Sequence, residues 1–291
     1  MSLLERMPSL RTLLVLGRVS NLPTVWSNCL AGWWLGGGGN FGKLPFLVLG
    51  VTMLYVGGMY LNDAFDAEFD RQNRQERPIP SGAIALNDVW KLGLLWLVLG
   101  EGCLVCLGPL TGGLGLALAF CIVVYDALHK LFTFSPVLMG ICRFFVYVVA
   151  ASVGDRGVTG WSVWCGMALG AYVIGLSGLA RKESLRTQSP RWPVFLLGVP
   201  ILLALFISDG IYLEGALIRS AVLALWILHC LRTTFWTHPV NVGRTVSGLL
   251  AGIIIVDWMA AMNTHTPAEL GLLFLCLLLA AQLTQRFAPA T

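Results

Sequence analysis

The sequence predicts an all-α, polytopic transmembrane helical bundle, and three observations carry that class. Of its 291 residues 57% are hydrophobic and only 12% charged, with a mean hydropathy of +0.77; a water-soluble domain cannot hide that much apolar surface. The apolar residues fall into stretches of roughly 17–25 residues, the length of a membrane span. Lys and Arg collect at alternate ends of those stretches, the asymmetry that orients membrane helices.

Taken in order, the stretches run over residues 12–36, 44–66, 88–108, 111–129, 136–154, 161–181, 192–208, 214–235, 242–262 and 267–286. Arg18 and Asn21, in RVSNLPT, stand near the start of the first, and Asn28 lies further in. The second reaches Asn62 after ~27 Å of helix at 1.5 Å per residue, which puts the residues that follow at the boundary between hydrocarbon and water. The fourth ends in YDALHK, with Tyr125, Asp126 and Lys130. The fifth carries Arg143 and the ninth Asp257, charges that in a span need a partner or a wet cavity. The seventh is the shortest, parted from the eighth only by Ser208-Asp209-Gly210. Gly32/Gly36, Gly108/Gly112, Gly166/Gly170 and Gly248/Gly252 have the small-xxx-small spacing that lets helices approach closely in lipid. The cysteines lie in apolar runs as small hydrophobes, and the histidines form no ligand pair, so both are expected to be structural. No short apolar segment with a small-residue cleavage site precedes the first stretch, so no removed signal peptide is expected.

Residues 62–82, NDAFDAEFDRQNRQERPIPSG, hold five acids and three arginines. Asp63, Asp66 and Asp70 stand at i, i+3 and i+7, so on a helix their carboxylates line one face, with Asn62 a turn before Asp66. Carboxylates that close repel unless a cation lies between them, and this hard-oxygen set suits Mg²⁺, an ion that takes one or two protein carboxylates together with phosphate oxygens. Arg71, Arg74 and Arg77 follow at helical spacing, and the guanidinium fork matches a phosphate. Acids and arginines together describe a Mg²⁺–diphosphate site. The prolines after them cannot continue a helix and turn the chain back over it.

The order NDxxDxxxD followed by RxxRxxRPIPSG resembles the first aspartate-rich motif of the UbiA superfamily of intramembrane prenyltransferases. That resemblance implies a single integral membrane UbiA-like domain over 1–291 with nine or ten spans, since the family is usually described with nine. It implies Mg²⁺ held by Asn62, Asp63, Asp66 and Asp70, a prenyl diphosphate donor, and a hydrophobic or aromatic small-molecule acceptor reached from the membrane lipid, with no nucleic acid. Asp66, Lys130 and Tyr125 are then the expected catalytic residues, because many such enzymes carry a tyrosine with a basic residue one turn on. Arg71, Arg74, Arg77, Arg181, Lys182, Arg18, Asn21 and Arg143 are the expected substrate-binding set. Tyr60, Phe65, Tyr125 and Phe144 are aromatic groups available to a cationic substrate carbon.

The chain departs from the family after the sixth stretch. Where a second aspartate-rich motif is expected, it reads YVIGLSGLARKE, with Glu183 the sole acid. Arg181 and Lys182 supply positive charge there that a second metal would otherwise bring. RPIPSG, CRFF and GLxxLARKE resemble the UbiA-like branch of bacterial and cyanobacterial ebo gene clusters, whose products are tied to precursor processing or export. An alternative follows, in which the fold binds or helps export an isoprenoid or other amphiphilic precursor without transferring it.

Lys43, Arg156 and Arg219 lie at one set of span ends, while Arg11, Arg71, Arg74, Arg77, Lys91, Lys130, Arg181, Lys182 and Arg232 lie at the other. The second set marks the cytoplasmic side, so the protein is expected in the bacterial inner membrane with its site facing the cytoplasm. Cysteines introduced at Gln75 and Gln188 are therefore both expected to react with a membrane-impermeant thiol reagent from the cytoplasmic side; labelling from opposite sides overturns this orientation.

Overall fold

The computed structural model describes residues 8–130, 132–184, 192–208, 210–236, 241–262 and 267–287. Its regular structure among these is helical. The first apolar stretch is interrupted. Leu10–Leu16 (α1) starts on Ser9, whose hydroxyl accepts from the Thr12 N–H. After Gly17 the chain passes Arg18, which has φ 43° and ψ 47°, then a single 3₁₀ turn, and resumes as Leu22–Leu35 (α2) with Pro23 in its first turn. Proline is preorganised for that position, and the left-handed Arg18 is the pivot that redirects the chain. The expectation of one helix over 12–36 is corrected accordingly.

Leu44–Phe65 (α3) opens with Pro45 in its first turn and ends at Asp66, directly followed by Ala67–Asn73 (α4). Leu86–Leu107 (α5) and Pro109–Leu128 (α6) are separated by Gly108 alone, at φ 143°. Ser135–Ser152 (α7), Gly160–Ser184 (α8), Ile211–Phe235 (α11), Val242–Ala261 (α12) and Ala268–Phe287 (α13) complete the long helices. Trp192–Leu197 (α9) and Val199–Ile207 (α10) share the seventh stretch, divided at Gly198 just before Pro200.

Eight of the described helices are long and apolar enough to cross a membrane. The split seventh stretch also runs the length of its neighbour: Pro193 and Leu197 lie against Gly175 of α8, while Pro200, Leu203 and Ala204 share a wall with Trp161, Cys165 and Ala168 at the other end. At the far end of the chain Thr284 Oγ1 donates to the Ser20 carbonyl at 3.1 Å, so α13 finishes beside the start of α2. Two shorter segments, α2 and the α9–α10 pair, pack among these eight. The sequence had marked ten stretches, and their limits agree with the helices to within a few residues.

The core lies between α2, α7, α8 and α12, around the fully buried Trp33, Tyr147, Leu169 and Tyr172. Glycine makes that approach possible. A Cβ at Gly32 would stand 2.7 Å from the Tyr147 carbonyl oxygen and 2.8 Å from Ala150 Cβ on α7, and one at Gly140 2.7 Å from the Gly170 carbonyl oxygen on α8. Of the four spaced pairs, Gly32/Gly36, Gly166/Gly170 and Gly248/Gly252 do pack against neighbouring helices. Gly108/Gly112 does not act as a pair, because Gly108 faces open space and serves the turn through its positive φ. Overpacking of such a contact costs about 1–3 kcal/mol. Gly32→Ala is therefore expected to lower the thermal unfolding midpoint in detergent clearly, whereas Gly113→Ala, where a Cβ meets nothing within 4 Å, holds or raises it; equal midpoints for the two variants contradict this packing.

Candidate functional site

Three parts of the chain meet at one end of the bundle: the break between α1 and α2, the junction of α3 with α4, and the last turn of α6. The α3–α4 junction keeps the helical hydrogen bonds from Asp66 N to the Asn62 carbonyl at 3.0 Å and from Asp70 N to the Asp66 carbonyl at 2.9 Å. Asp63, Asp66 and Asp70 consequently stay on one face, as their spacing predicts, and all three are buried together with Asn62. Past Asn73 the helix stops. The chain reverses through Pro78-Ile79-Pro80-Ser81, with Ser81 N donating to the Arg77 carbonyl and Ala83 N to that of Pro78, and Gly82 supplies the positive φ of the exit.

That reversal lays Arg77 across the acids. Its Nη1 donates to Asp63 Oδ1 at 3.0 Å and to Asp70 Oδ2 at 3.1 Å. From the opposite side Arg18 Nη2 donates to Asp63 Oδ1 at 3.2 Å and to Asn62 Oδ1 at 3.1 Å. Asp66 Oδ1 is met from α6 by Lys130 Nζ at 2.6 Å and by His129 Nε2 at 3.3 Å. The Lys130 ammonium also lies 3.9 Å from the centroid of the Phe69 ring, a cation–π contact that holds it at the cluster. Asp126, one turn before Lys130, accepts from Asn62 Nδ2 at 3.1 Å. That bond orients the Asn62 amide, so its carbonyl oxygen faces Arg18.

Outside the membrane-spanning helices, charge pairing sets the protonation of this cluster. Burial opposes the Asp66 carboxylate, yet hydrogen bonds from His129 and Lys130 outweigh it and hold Asp66 below the usual range. Burial likewise opposes a charged His129, and its bond to Asp66 overrides that and raises it. Burial dominates at Asp70 and raises it, partly offset by Arg77. Asp70 Oδ1 and Asp126 Oδ2 are buried and accept no hydrogen bond. Hard oxygen acceptors thus remain open at the cluster, and the donor set of carboxylates with one amide oxygen fits a hard divalent cation such as Mg²⁺. Among the described residues no three acids, histidines or cysteines already converge on one point; the carboxylates are spread over their own cations instead.

Several expected residues lie elsewhere. Arg71 pairs with Glu68 at 2.8 Å on an exposed face, and Arg74 ends α4 without an ion pair among the described residues. Arg181 is committed to the start of α7, donating to the Phe132 carbonyl and to Ser135 Oγ. Lys182 and Glu183 lie in the last turn of α8, and their side chains fall outside what the structure describes. Tyr125 stacks on His129, the rings 5.2 Å apart and nearly parallel. Asn21 is buried and pairs with the Tyr55 hydroxyl. Among the aromatic candidates, Tyr60 donates to the Leu13 carbonyl, Phe65 packs edge-on against Trp90, and Phe144 lies against Gly166. Arg143 of α7 stands apart from the acids and donates to Thr24 and Asn28 of α2. His129, expected to be merely structural, is in contact with Asp66; its signal in the sequence is that Asp126, His129 and Lys130 share one helical face.

Fold and site together define a polytopic α-helical membrane protein that gathers acids and fixed cations at one end of its bundle. The chain belongs to the UbiA prenyltransferase family, whose model matches residues 21–287. It is 25% identical to the digeranylgeranylglyceryl phosphate synthase of Sulfurisphaera tokodaii over 53% of this chain and 47% of that one. With the enzyme of that name from Ignicoccus hospitalis it is 47% identical over 20% of this chain and 19% of the relative. The chain thus spans less than half the length of either relative. Its fold is that of a solved digeranylgeranylglyceryl phosphate synthase, at TM-score 0.61 and 18% identity over 94% of this chain and 98% of the other. It is also that of a UbiA homologue from Archaeoglobus fulgidus solved with GPP and Mg²⁺, at TM-score 0.57 and 14% identity over 92% and 99%.

The His129–Asp66 contact has a definite pH dependence. A raised histidine stabilises the fold fully below its unfolded value of about 6.5 and ceases to do so as pH rises through its folded value; the lowered Asp66 contributes above about 3.9 and fails only in stronger acid. His129→Gln is therefore expected to melt below wild type near about pH 6 and to converge with it as pH rises into the alkaline range. A gap that is constant across this window rules out a charged His129.

Proposed function

We propose that the protein is a Mg²⁺-dependent intramembrane prenyltransferase that takes an isoprenoid group from a prenyl diphosphate at the cytoplasmic face of the membrane. The observation that carries this reading is the buried set Asn62, Asp63, Asp66 and Asp70 under Arg18, Arg77 and Lys130, placed where the bundle meets water. The family supports it, and so does the Archaeoglobus fulgidus homologue named above, solved with GPP and Mg²⁺. The Lys/Arg asymmetry supports the cytoplasmic orientation.

Asn62, Asp63, Asp66 and Asp70 hold the Mg²⁺, which when bound neutralises diphosphate oxygens and so makes diphosphate a better leaving group. Arg18, Arg77 and Lys130 rest on the carboxylates and surround the same space, so they bind the diphosphate and take up the negative charge that builds as the allylic C–O bond breaks. Cations placed in advance stabilise that charge more in the transition state than in the ground state. His129 keeps Asp66 ionised, and Asp126 keeps the Asn62 oxygen turned toward the site. Arg71, Arg74 and Arg181 take no direct part in this scheme. The isoprenoid tail and the acceptor occupy the apolar interior, which excludes water from the carbon left electron-poor by ionisation.

Binding in which the donor is held but never ionised is favoured by one observation: Arg181 is spent on the α6–α7 connection, so no second charged wall is formed by it. Purified protein incubated with Mg²⁺, labelled prenyl diphosphates of several lengths and a lipid extract separates the two. Transfer of label into lipid is expected, and Mg²⁺-dependent binding without transfer selects the carrier reading. Asp63→Ala and Asp66→Ala are each expected to weaken diphosphate binding by at least the ~10–100-fold typical of losing a mere supporting group around a metal; Mg²⁺-dependent binding retained in both moves the site elsewhere.

A further inference from the structure

Deeper in the bundle than the acids, α2, α7 and α12 share a second polar network. Asp257 of α12 is fully buried and accepts from Ser27 Oγ, from Asn28 Nδ2 at 2.7 Å and from the Tyr147 hydroxyl. Asn28 then turns its Oδ1 to Arg143 of α7, whose Nη1 donates to it at 2.6 Å. Arg143 also donates to the Thr24 carbonyl at 3.4 Å and to Thr24 Oγ1 at 3.1 Å. Its guanidinium lies 6.0 Å from the Tyr55 ring. Tyr55 is two helical turns before Asn62 on α3, so Arg143 sits ~10 Å further along the bundle than the acid cluster.

The network is lopsided. A pair built only to cancel two charges in lipid would meet directly, because separation wastes attraction where the dielectric is low. Here a neutral amide stands between them. Asp257 is surrounded by three donors, whereas Arg143 keeps its Nε–H and one Nη2–H without a hydrogen-bond partner among the described residues. Asn28 can present its oxygen to Arg143 only while its NH₂ group is held by Asp257, since the two ends of an amide are a donor and an acceptor. The outcome is a positioned cation with open donors, half-buried in the interior and deeper in the bundle than the acid cluster.

We propose that Arg143 seats the acidic group of the acceptor, a phosphate or a carboxylate, and that Asp257 is a positioning residue acting on Arg143 through Asn28. This rests on the prenyl-transfer reading for the word acceptor, and it narrows the acceptor to compounds that bear an acid. A charge-assisted hydrogen bond contributes about 1.5–3 kcal/mol, that is, about 10–100-fold in affinity.

The test measures binding of two acids and their uncharged counterparts to the purified full chain with Mg²⁺ and a non-reactive prenyl thiodiphosphate: geranylgeranylglyceryl phosphate against geranylgeranylglycerol, and 4-hydroxybenzoate against 4-hydroxybenzyl alcohol. In wild type one acid is expected to bind at least about 10-fold tighter than its neutral partner, and which one does so tells phosphate from carboxylate. The preference is expected to vanish in Arg143→Gln. Asp257→Asn should reduce it by a similar factor, and should reduce nothing further when added to Arg143→Gln, an outcome that a merely structural Asp257 does not give. Asn28→Ser breaks the same relay while leaving Asp257 in place, and carries the test if Asp257→Asn does not fold. No preference for either acid in wild type overturns the proposal for Arg143, and equal effects of Asp257→Asn with and without Arg143 overturn the positioning role. Thiodiphosphate binding is measured in parallel: its absence from wild type condemns the donor site, not this one.

Discussion

Carboxylates at the edge of a hydrocarbon layer can remain ionised only if each finds a cation, and this requirement governs the site end of the molecule. Asp63 is held by Arg18 and Arg77, Asp70 by Arg77, and Asp66 by Lys130 and His129. These cations come from three different places in the chain. Meeting the requirement therefore fixes the break after α1, the reversal after α4 and the end of α6 relative to α3. Breaking one of these pairs leaves an uncompensated charge, far costlier than losing an exposed one. The same pairs leave the acids and their cations side by side at one end of the bundle.

Glycine sets the second condition. The passes that carry Asn28, Tyr147 and Asp257 must come close enough for hydrogen bonds to join three helices. Gly32 and Gly36 of α2 against α7, Gly140 and Gly170 between α7 and α8, and Gly252 of α12 beside Tyr172 make that approach. In lipid, where no hydrophobic force drives helices together, close backbone contact and buried hydrogen bonds are what hold them. Packing and polar network are thus mutually dependent: the glycines bring the donors within reach, and the donors hold the glycine contacts shut.

Much of this was legible in the sequence, and for identifiable reasons. Acids in a chain this apolar stand out, and the i, i+3, i+7 spacing survives in the structure because the α3–α4 junction remains helical. The spacing of Arg71, Arg74 and Arg77 misled, because it assumed a helix that in fact stops at Asn73; Arg71 stays outside on Glu68, and only the residue beyond the break returns to the acids. Arg181 stands where the family's second aspartate-rich motif is expected, but a span end also adjoins a connection, and Arg181 donates to the carbonyl of Phe132 there. His129 carried no signal as an isolated histidine. The contact of Asn28 with Asp257 joins residues 229 positions apart, and nothing local foretells it.

The pass made of α9 and α10 has one more consequence. Its 16 residues, Trp192–Ile207, rise only ~24 Å, against a hydrocarbon thickness of ~30 Å, and Phe195, Leu202 and Phe206 on it are exposed. Lipids touching this flank must compress to cover it, at a cost that grows with every ångström of mismatch. A thin bilayer is consequently the better solvent for this protein, and thickening the membrane, as sterols or longer acyl chains do, strains this flank.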